Sequence, residues 1–317
     1  KGKEKEKEEE KKEEGGWEEY NEALKEHQMG ERGMCKGNIW DSHWKADIAK
    51  ESTVSRRKLR RLIQEVSTMQ VCLPLNPISS VFLRTDEERL DVMQALIVGP
   101  TETPYAGGCF IFDLYCPPNY PKEPPKVNLQ TTGEGSVRFN PNLYNSGKVC
   151  LSLLGTWSGQ SGETWQEKVS SILQVWVSIQ SLIFVERPYF NEPGHEKIMN
   201  TTEGDRQNIL YNRVIREQTI RWAMLDQLRN PKEGFEEVIN IHFKLRKKIV
   251  MKELGGWLEE AEREKEKEKG KLTSANTHYT NLKKLIADLE EEFKKKYKDY
   301  EEKTPEPEKK PPPKPVN

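Results

Sequence analysis

The 317-residue chain has no apolar run of about 18 residues, so no stretch of it reads as a bilayer-spanning helix. It also lacks net charge. Lys and Arg number 51 against 52 Asp and Glu, for −1 overall. That balance excludes a general nucleic-acid or membrane-surface binder, which needs a basic excess. Cysteine is scarce and irregularly spaced: Cys35, Cys72, Cys109, Cys116 and Cys150. The odd number argues against a disulfide framework and fits free thiols in a reducing, cytoplasmic compartment. No C-x₂-C pair occurs, and Cys35 with His27 and His43 has no zinc-site spacing, so no metal is expected. No secretory leader is visible. The chain opens on Lys1 rather than Met, which points to a piece of something longer.

What is present changes along the chain. Residues 1–50 begin with "KGKEKEKEEEKKEEGG" and read as a charged, largely disordered lead-in, with aromatic side chains that can dock on the main domain. The Pro-rich stretch 301–317 reads as a disordered tail. Residues 51–230 form the expected domain and 231–300 a helical extension.

A first helix is expected over 53–69, with Leu59, Leu62, Ile63 and Val66 as its buried stripe. Strands follow at 79–86, 90–99, 109–117 and 126–131, separated by "GPTETPYAGG" and "PPNYPKEPP". Short turns without intervening helices imply an antiparallel meander. Helical spacing returns at 169–183, 208–229 and from about 232. The class is therefore α+β, with an N-terminal helix, a four-stranded antiparallel meander and C-terminal helices. A further amphipathic helix over 279–300, with Leu282, Leu285, Leu289, Phe293 and Tyr297, is too short for a coiled coil and is expected to pack back.

Between strands and later helices lies "RFNPNLYNSGKVCLS" at 138–152. A lone Cys in an apolar strip is ordinarily a small buried side chain. The order of motifs speaks otherwise. "YPKEPPKV", then "NPN", then a Cys eight residues after the second Asn, resembles the ubiquitin-conjugating enzyme (E2) family over roughly 53–195. "GPTETPYAGGCFIFDLYCPPNYPKEPPKVNL" resembles that family's second-to-fourth strand segment. "SSVFLRTDEERLDVM", "TTGEGSVRFNPNLYNSGKVCLSLL" and "PYFNEPGHEK" resemble, more narrowly, the conjugating domain of the giant hybrid E2/E3 inhibitor-of-apoptosis enzymes.

The resemblance implies the UBC fold and an acyltransferase that needs no cofactor of its own. Its partners would be ubiquitin, an E1 that spends ATP, and protein substrates. Cys150 would be the nucleophile, reactive as thiolate. Asn142 would donate to the oxyanion of the tetrahedral intermediate. Asn140 stands where the family usually has a structural His. Glu192 is the best match to the acid that orients the incoming lysine, with Glu186 next. Arg56, Arg57, Lys58, Arg60 and Arg61, five cations in six positions, match an E1-docking face. Lys122 after Tyr120–Pro121, and the insert "GTWSGQSGETWQEK" at 155–168, depart from the family and put ordinary RING-ligase docking in doubt. His195 as the partner of a Cys protease has no supporting signature. Two rivals remain: an inert E2-like binding module, and a helical scaffold on which the conjugating fold is vestigial.

Overall fold

The computed structural model describes residues 17–35, 41–51, 53–157, 159, 162–267 and 273–297. The Lys/Glu run of 1–16 and the Pro-rich tail lie outside these residues.

Helix α1 (17–25) leads into strand β1 (Met29–Arg32), then helices α2 (Lys45–Ile48) and α3 (Arg56–Cys72). Strands β2 (Val81–Asp86), β3 (Val92–Val98), β4 (Cys109–Tyr115) and β5 (Lys126–Leu129) follow. Helix α4 (Ile172–Ser178) continues as a π-helical turn, Ile179–Ile183. Helix α5 (Thr202–Gln218) likewise runs through a π-helical stretch, Thr219–Leu225, into α6 (Asp226–Arg229). Two long helices close the chain, α7 (Glu236–Lys267) and α8 (Ser274–Lys296).

The sheet order is β1-β2-β3-β4-β5. The four expected strands pair antiparallel as neighbours. The fifth was not expected: β1 comes from the lead-in and pairs parallel with β2, Met29 opposite Leu83. The lead-in is therefore folded where it is described. Tyr20 and Leu24 of α1 are fully buried.

The sheet is covered on both sides. Antiparallel sheets commonly leave one face in water, but every residue of β2, β3 and β4 is buried. On the front face Leu83, Ala95, Ile97, Phe110 and Phe112 pack with Leu62 and Met69 of α3 and with Trp176 and Ile183. On the back face Phe82, Leu96, Val98 and Ile111 pack with Tyr20, Ile220, Met224, Phe235 and Phe243. Each such side chain stabilises the fold by about 1.5–3 kcal/mol relative to exposure. The described residues of 232–297 thus supply about half of the back core. Within it, α8 packs back as expected, burying Leu282, Leu285, Leu289 and Phe293.

His242 of α7 pins this arrangement. Its Nδ1 lies 3.0 Å from the Tyr20 hydroxyl and its Nε2 3.2 Å from the Gly107 carbonyl, so it bridges α7, α1 and the β3–β4 turn. Burial pushes its pKa down to about 4, which leaves the ring neutral.

Helix α3 presents a different face to the core than its apolar spacing implied. The Ser55 hydroxyl caps it by accepting from the Lys58 amide at 3.3 Å. The buried residues are Lys58, Leu62, Glu65 and Met69, whereas Leu59 and Ile63 are 40% and 53% exposed. Two buried ionic groups set this rotation. Lys58 Nζ reaches Asp91 at 2.6 Å and Glu51 at 2.8 Å. Glu65 accepts from Arg61 Nε and from the Ile172 amide at the start of α4, and is bonded to the Tyr120 hydroxyl.

Candidate active site

The segment between β5 and α4 has little regular structure, and its own side chains hold it in place. Isolated bridges join Asn128 to Lys148 and Leu143 to Val149, folding 140–150 into a tight return. Gly147 makes the return possible. It has φ +82°, and a Cβ there would lie 2.3 Å from both Asn128 Oδ1 and the Leu129 carbonyl. Leu143 and Val149 are buried beneath it, which anchors the strip to the core.

Asn140 organises the turn from inside. Fully buried, it donates from Nδ2 to the Tyr105 hydroxyl (3.0 Å) and the Ile183 carbonyl (2.8 Å). Its Oδ1 accepts from the Asn142 amide (2.8 Å) and from Asn191 Nδ2 (3.3 Å). All its hydrogen-bonding capacity goes into structure, as buried amides require.

Cys150 and Asn142 are bonded reciprocally. The Cys150 amide donates to the Asn142 carbonyl at 2.9 Å, and Asn142 Nδ2 donates to the Cys150 carbonyl at 2.8 Å. Asn142 is therefore bound to the Cys150 backbone, and its side-chain amide is occupied there. Cys150 itself is 2% exposed. Burial raises its thiol pKa, while the positive charges of Lys148 and Arg138 pull it back down. The insert contributes to the enclosure. Thr156 Oγ1 accepts from the Leu151 amide at 3.0 Å and donates to the Val149 carbonyl at 2.7 Å, clasping the backbone on either side of Cys150. Trp165 docks the insert, donating to the Pro121 carbonyl at 2.7 Å beside the cis Tyr120–Pro121 bond. Lys122 is exposed.

A groove of about 620 Å³ opens beside the residues flanking Cys150, lined among others by Asn142, Leu151, Trp157, Gln174, Leu182 and Asn191. Exposed Val169, Val177 and Leu182 extend an apolar surface along it and α4.

The two candidate acids separate cleanly. Glu192 follows the 3₁₀ turn Pro188–Asn191, and its Oε2 accepts from Arg138 Nη2 at 3.0 Å. Arg138 also donates to the Pro141 carbonyl at 2.7 Å, so Glu192 is tied to the Asn140–Asn142 turn. Glu186 instead lines a separate cavity of about 330 Å³ with Asn208, Asn212 and Arg216. His195 Nδ1 lies 3.0 Å from the Tyr189 carbonyl, and its ring stacks on Tyr189, roles within its own loop. Sequence reasoning missed Arg138, although its place two residues before Asn140 was visible.

The cation cluster of α3 divides. Arg56 and Arg60 are exposed, and Arg57 is exposed while pairing with Glu167. Lys58 is fully buried in its pair with Asp91, so it leaves the proposed docking face. Arg61 is turned inward, donating to the Glu167 and Ser170 carbonyls. Among the described residues no three His, Cys, Asp or Glu side chains converge as a metal site, and no helix is long and apolar enough to cross a membrane.

The family model for ubiquitin-conjugating enzymes matches residues 61–219, which include this whole segment. The chain belongs to the ubiquitin-conjugating enzyme family. Named relatives agree. It is 51% identical over 242 residues to the human dual E2 ubiquitin-conjugating enzyme/E3 ubiquitin-protein ligase BIRC6, covering 76% of this chain and 5% of that protein. A probable ubiquitin-conjugating enzyme of Caenorhabditis elegans is 46% identical over 204 residues, 64% of this chain and 28% of the relative. A putative E2 of Arabidopsis thaliana is 39% identical over 198 residues, 62% and 60%. The E2 chain thus spans a small part of the largest relatives it matches.

Proposed function

We propose that this E2 carries ubiquitin on Cys150 and passes it to lysine, acting in the cytoplasm with an E1 and protein substrates. The Cys150 thiolate attacks the carbonyl carbon of ubiquitin's C-terminal thioester on the E1, whose own thiolate leaves. A substrate amine then attacks the new thioester, the C–S bond breaks, and Cys150 leaves as thiolate. The amine proton passes to Glu192 or to water. The observation that carries this reading is the reciprocal pair that Asn142 makes with the Cys150 backbone, with Asn142 lining the adjoining groove. A side-chain amide held at the nucleophile's own residue is suited to donate to the oxyanion. Exposed Arg56, Arg57 and Arg60 would meet the E1. An E3 activity of its own and a restraint on apoptosis rest on likeness to the giant hybrids alone. Exposed Lys122 and the docked insert favour recognition of substrate without an ordinary RING partner.

Incubation with E1, ATP and ubiquitin, read on a non-reducing gel, tests the reading. A thiol-sensitive adduct absent from Cys150→Ser is expected; none with any active E1 sinks it. Asn142→Ala should load normally and discharge about a hundredfold more slowly. The burial of Cys150 favours one rival, an inert module, and the same gel decides between them.

A further inference from the structure

Arg138 has three partners in three directions. It donates to the Pro141 carbonyl at 2.7 Å, lies over the Tyr144 ring at 4.5 Å, and donates to Glu192 at 3.0 Å. Two of these belong to the active-site turn. They fix the guanidinium as a post on the strip that carries Cys150, with Nη2 donating both to the Pro141 carbonyl and to Glu192. The third reaches a different element, the loop after α4. That loop is itself braced: Tyr189 stacks on His195 at 4.2 Å and meets Tyr211 edge-on at 6.2 Å, and Asn191 bonds to Asn140. Glu192 thus sits on a supported loop, with one carboxylate oxygen, Oε2, held by Arg138.

The pair is poorly placed to serve stability. Arg138 and Glu192 are 41% and 38% exposed, and exposed ion pairs add little. It is well placed for orientation. An acid that must receive a lysine amine beside the thioester has to stand within a fraction of an ångström of one place, and an unrestrained surface glutamate samples many rotamers.

We infer that Arg138 is a positioning residue, holding the Glu192 carboxylate toward the Cys150 site so that its free edge receives the ammonium of the acceptor lysine. This rests on the thioester reading above. The guanidinium binds one side of the carboxylate and the acceptor nitrogen the other, so two cations share one anion. Once the amine has given up its proton and attacked, the departing Cys150 thiolate finds Arg138 and Lys148 still beside it.

The test is single-turnover discharge of the preloaded full chain to free lysine, with kcat/KM for lysine as readout and a thermal melt on each variant. Arg138→Gln should still load ubiquitin, more slowly than the parent because it removes a charge that favours the Cys150 thiolate, and once loaded should lose on the order of tenfold in kcat/KM, since misplacement by about 1 Å costs up to about 10²-fold. Glu192→Gln should lose a similar factor, and the double variant no more than the worse single, because the two act as one unit. Arg138→Lys should recover part of the loss, keeping the charge but not the fork. The exchange R138E/E192R separates positioning from mere tethering. It rebuilds the ion pair, yet it presents a cation to the incoming ammonium, so discharge should stay low. Normal discharge by Arg138→Gln, multiplicative losses in the double variant, or rescue by the exchange would each overturn the inference. Absence of any thioester on the parent protein would overturn both it and the reading beneath it, a result distinct from all of these.

Discussion

The two faces of the sheet are built for different ends. On the back, α1, the π-helical stretch Thr219–Leu225, α6, α7 and α8 seal Phe82, Leu96, Val98 and Ile111 from water. On the front, α3 and α4 cover the sheet but keep apolar side chains outward, Leu59, Ile63, Val177 and Leu182 among them. The strip around Cys150 belongs to the front core, held by side-chain-to-backbone hydrogen bonds and isolated bridges rather than by a continuous ladder. Stability and chemistry are thereby separated. Changes behind the sheet should alter folding and spare the rate of thioester chemistry, and changes in the strip should do the reverse.

The contrast can be broken most severely by removing α7 and α8. Loss of residues 232–297 removes about half of the back core, and with each buried side chain contributing about 1.5–3 kcal/mol the shortened chain should not fold. Loss of the cooperative thermal transition and of solubility checks this. A soluble, loadable shortened domain would show that the helices are an accessory after all. Next in size is Lys58→Met. It leaves the fully buried Asp91 with Arg89 as its remaining cation partner, and breaking one partner of a buried pair costs about 3–5 kcal/mol. Urea melts should register that loss, while ubiquitin loading per folded molecule stays unchanged.

Acid should probe the back face through His242. The folded ring takes a proton near pH 4, the unfolded one near 6.5, so between these values the unfolded state binds more protons. The stability His242 supplies is complete above the unfolded value and fades as pH falls toward the folded one. Asp113 works oppositely. Burial pushes its pKa up to about 6, so the folded state holds the extra proton and gains as pH falls. Comparing the parent with His242→Asn cancels the Asp113 contribution. The stability gap between them should narrow by about 2 kcal/mol from about pH 7.5 to about pH 5. The smallest stability effect belongs to the front. Arg56→Glu with Arg60→Glu should move stability by no more than about 0.5 kcal/mol. The rate of loading from E1 should nevertheless fall, and the deficit should shrink at high salt.

These contrasts also explain what could be read from the sequence. Four strands, the α+β class and the segment around Cys150 were legible because strands joined by short turns pair with their sequence neighbours, and because the Asn, Pro and Cys spacing is specific. Strand β1 was not. Four residues, "MGER", carry no alternation, and their partner Leu83 lies over fifty positions away. The rotation of α3 escaped for another reason. Apolar spacing places Leu59 and Ile63 inward, but it cannot foresee that Asp91 and Glu51 wait in the core for Lys58. One available signal went unused. "LDVMQALIVG" is a nearly continuous apolar run rather than an alternating one, the pattern of a strand covered on both faces. It would have turned the helical extension into a back layer. In the site, a charged residue such as Arg138 looks like any surface cation until its three partners are seen.

The enclosure of Cys150 has a consequence for oxidants. A thiol that is buried and held protonated offers little thiolate to attack peroxide. Cys109 and Cys116 are buried too, and Cys35 is half-buried, its pKa pushed up to about 12. The one cysteine open to solvent is Cys72, at the last turn of α3. Oxidative damage or a maleimide label should therefore strike the tip of that helix first. This exposed thiol lies well apart in the chain from the one proposed to hold ubiquitin.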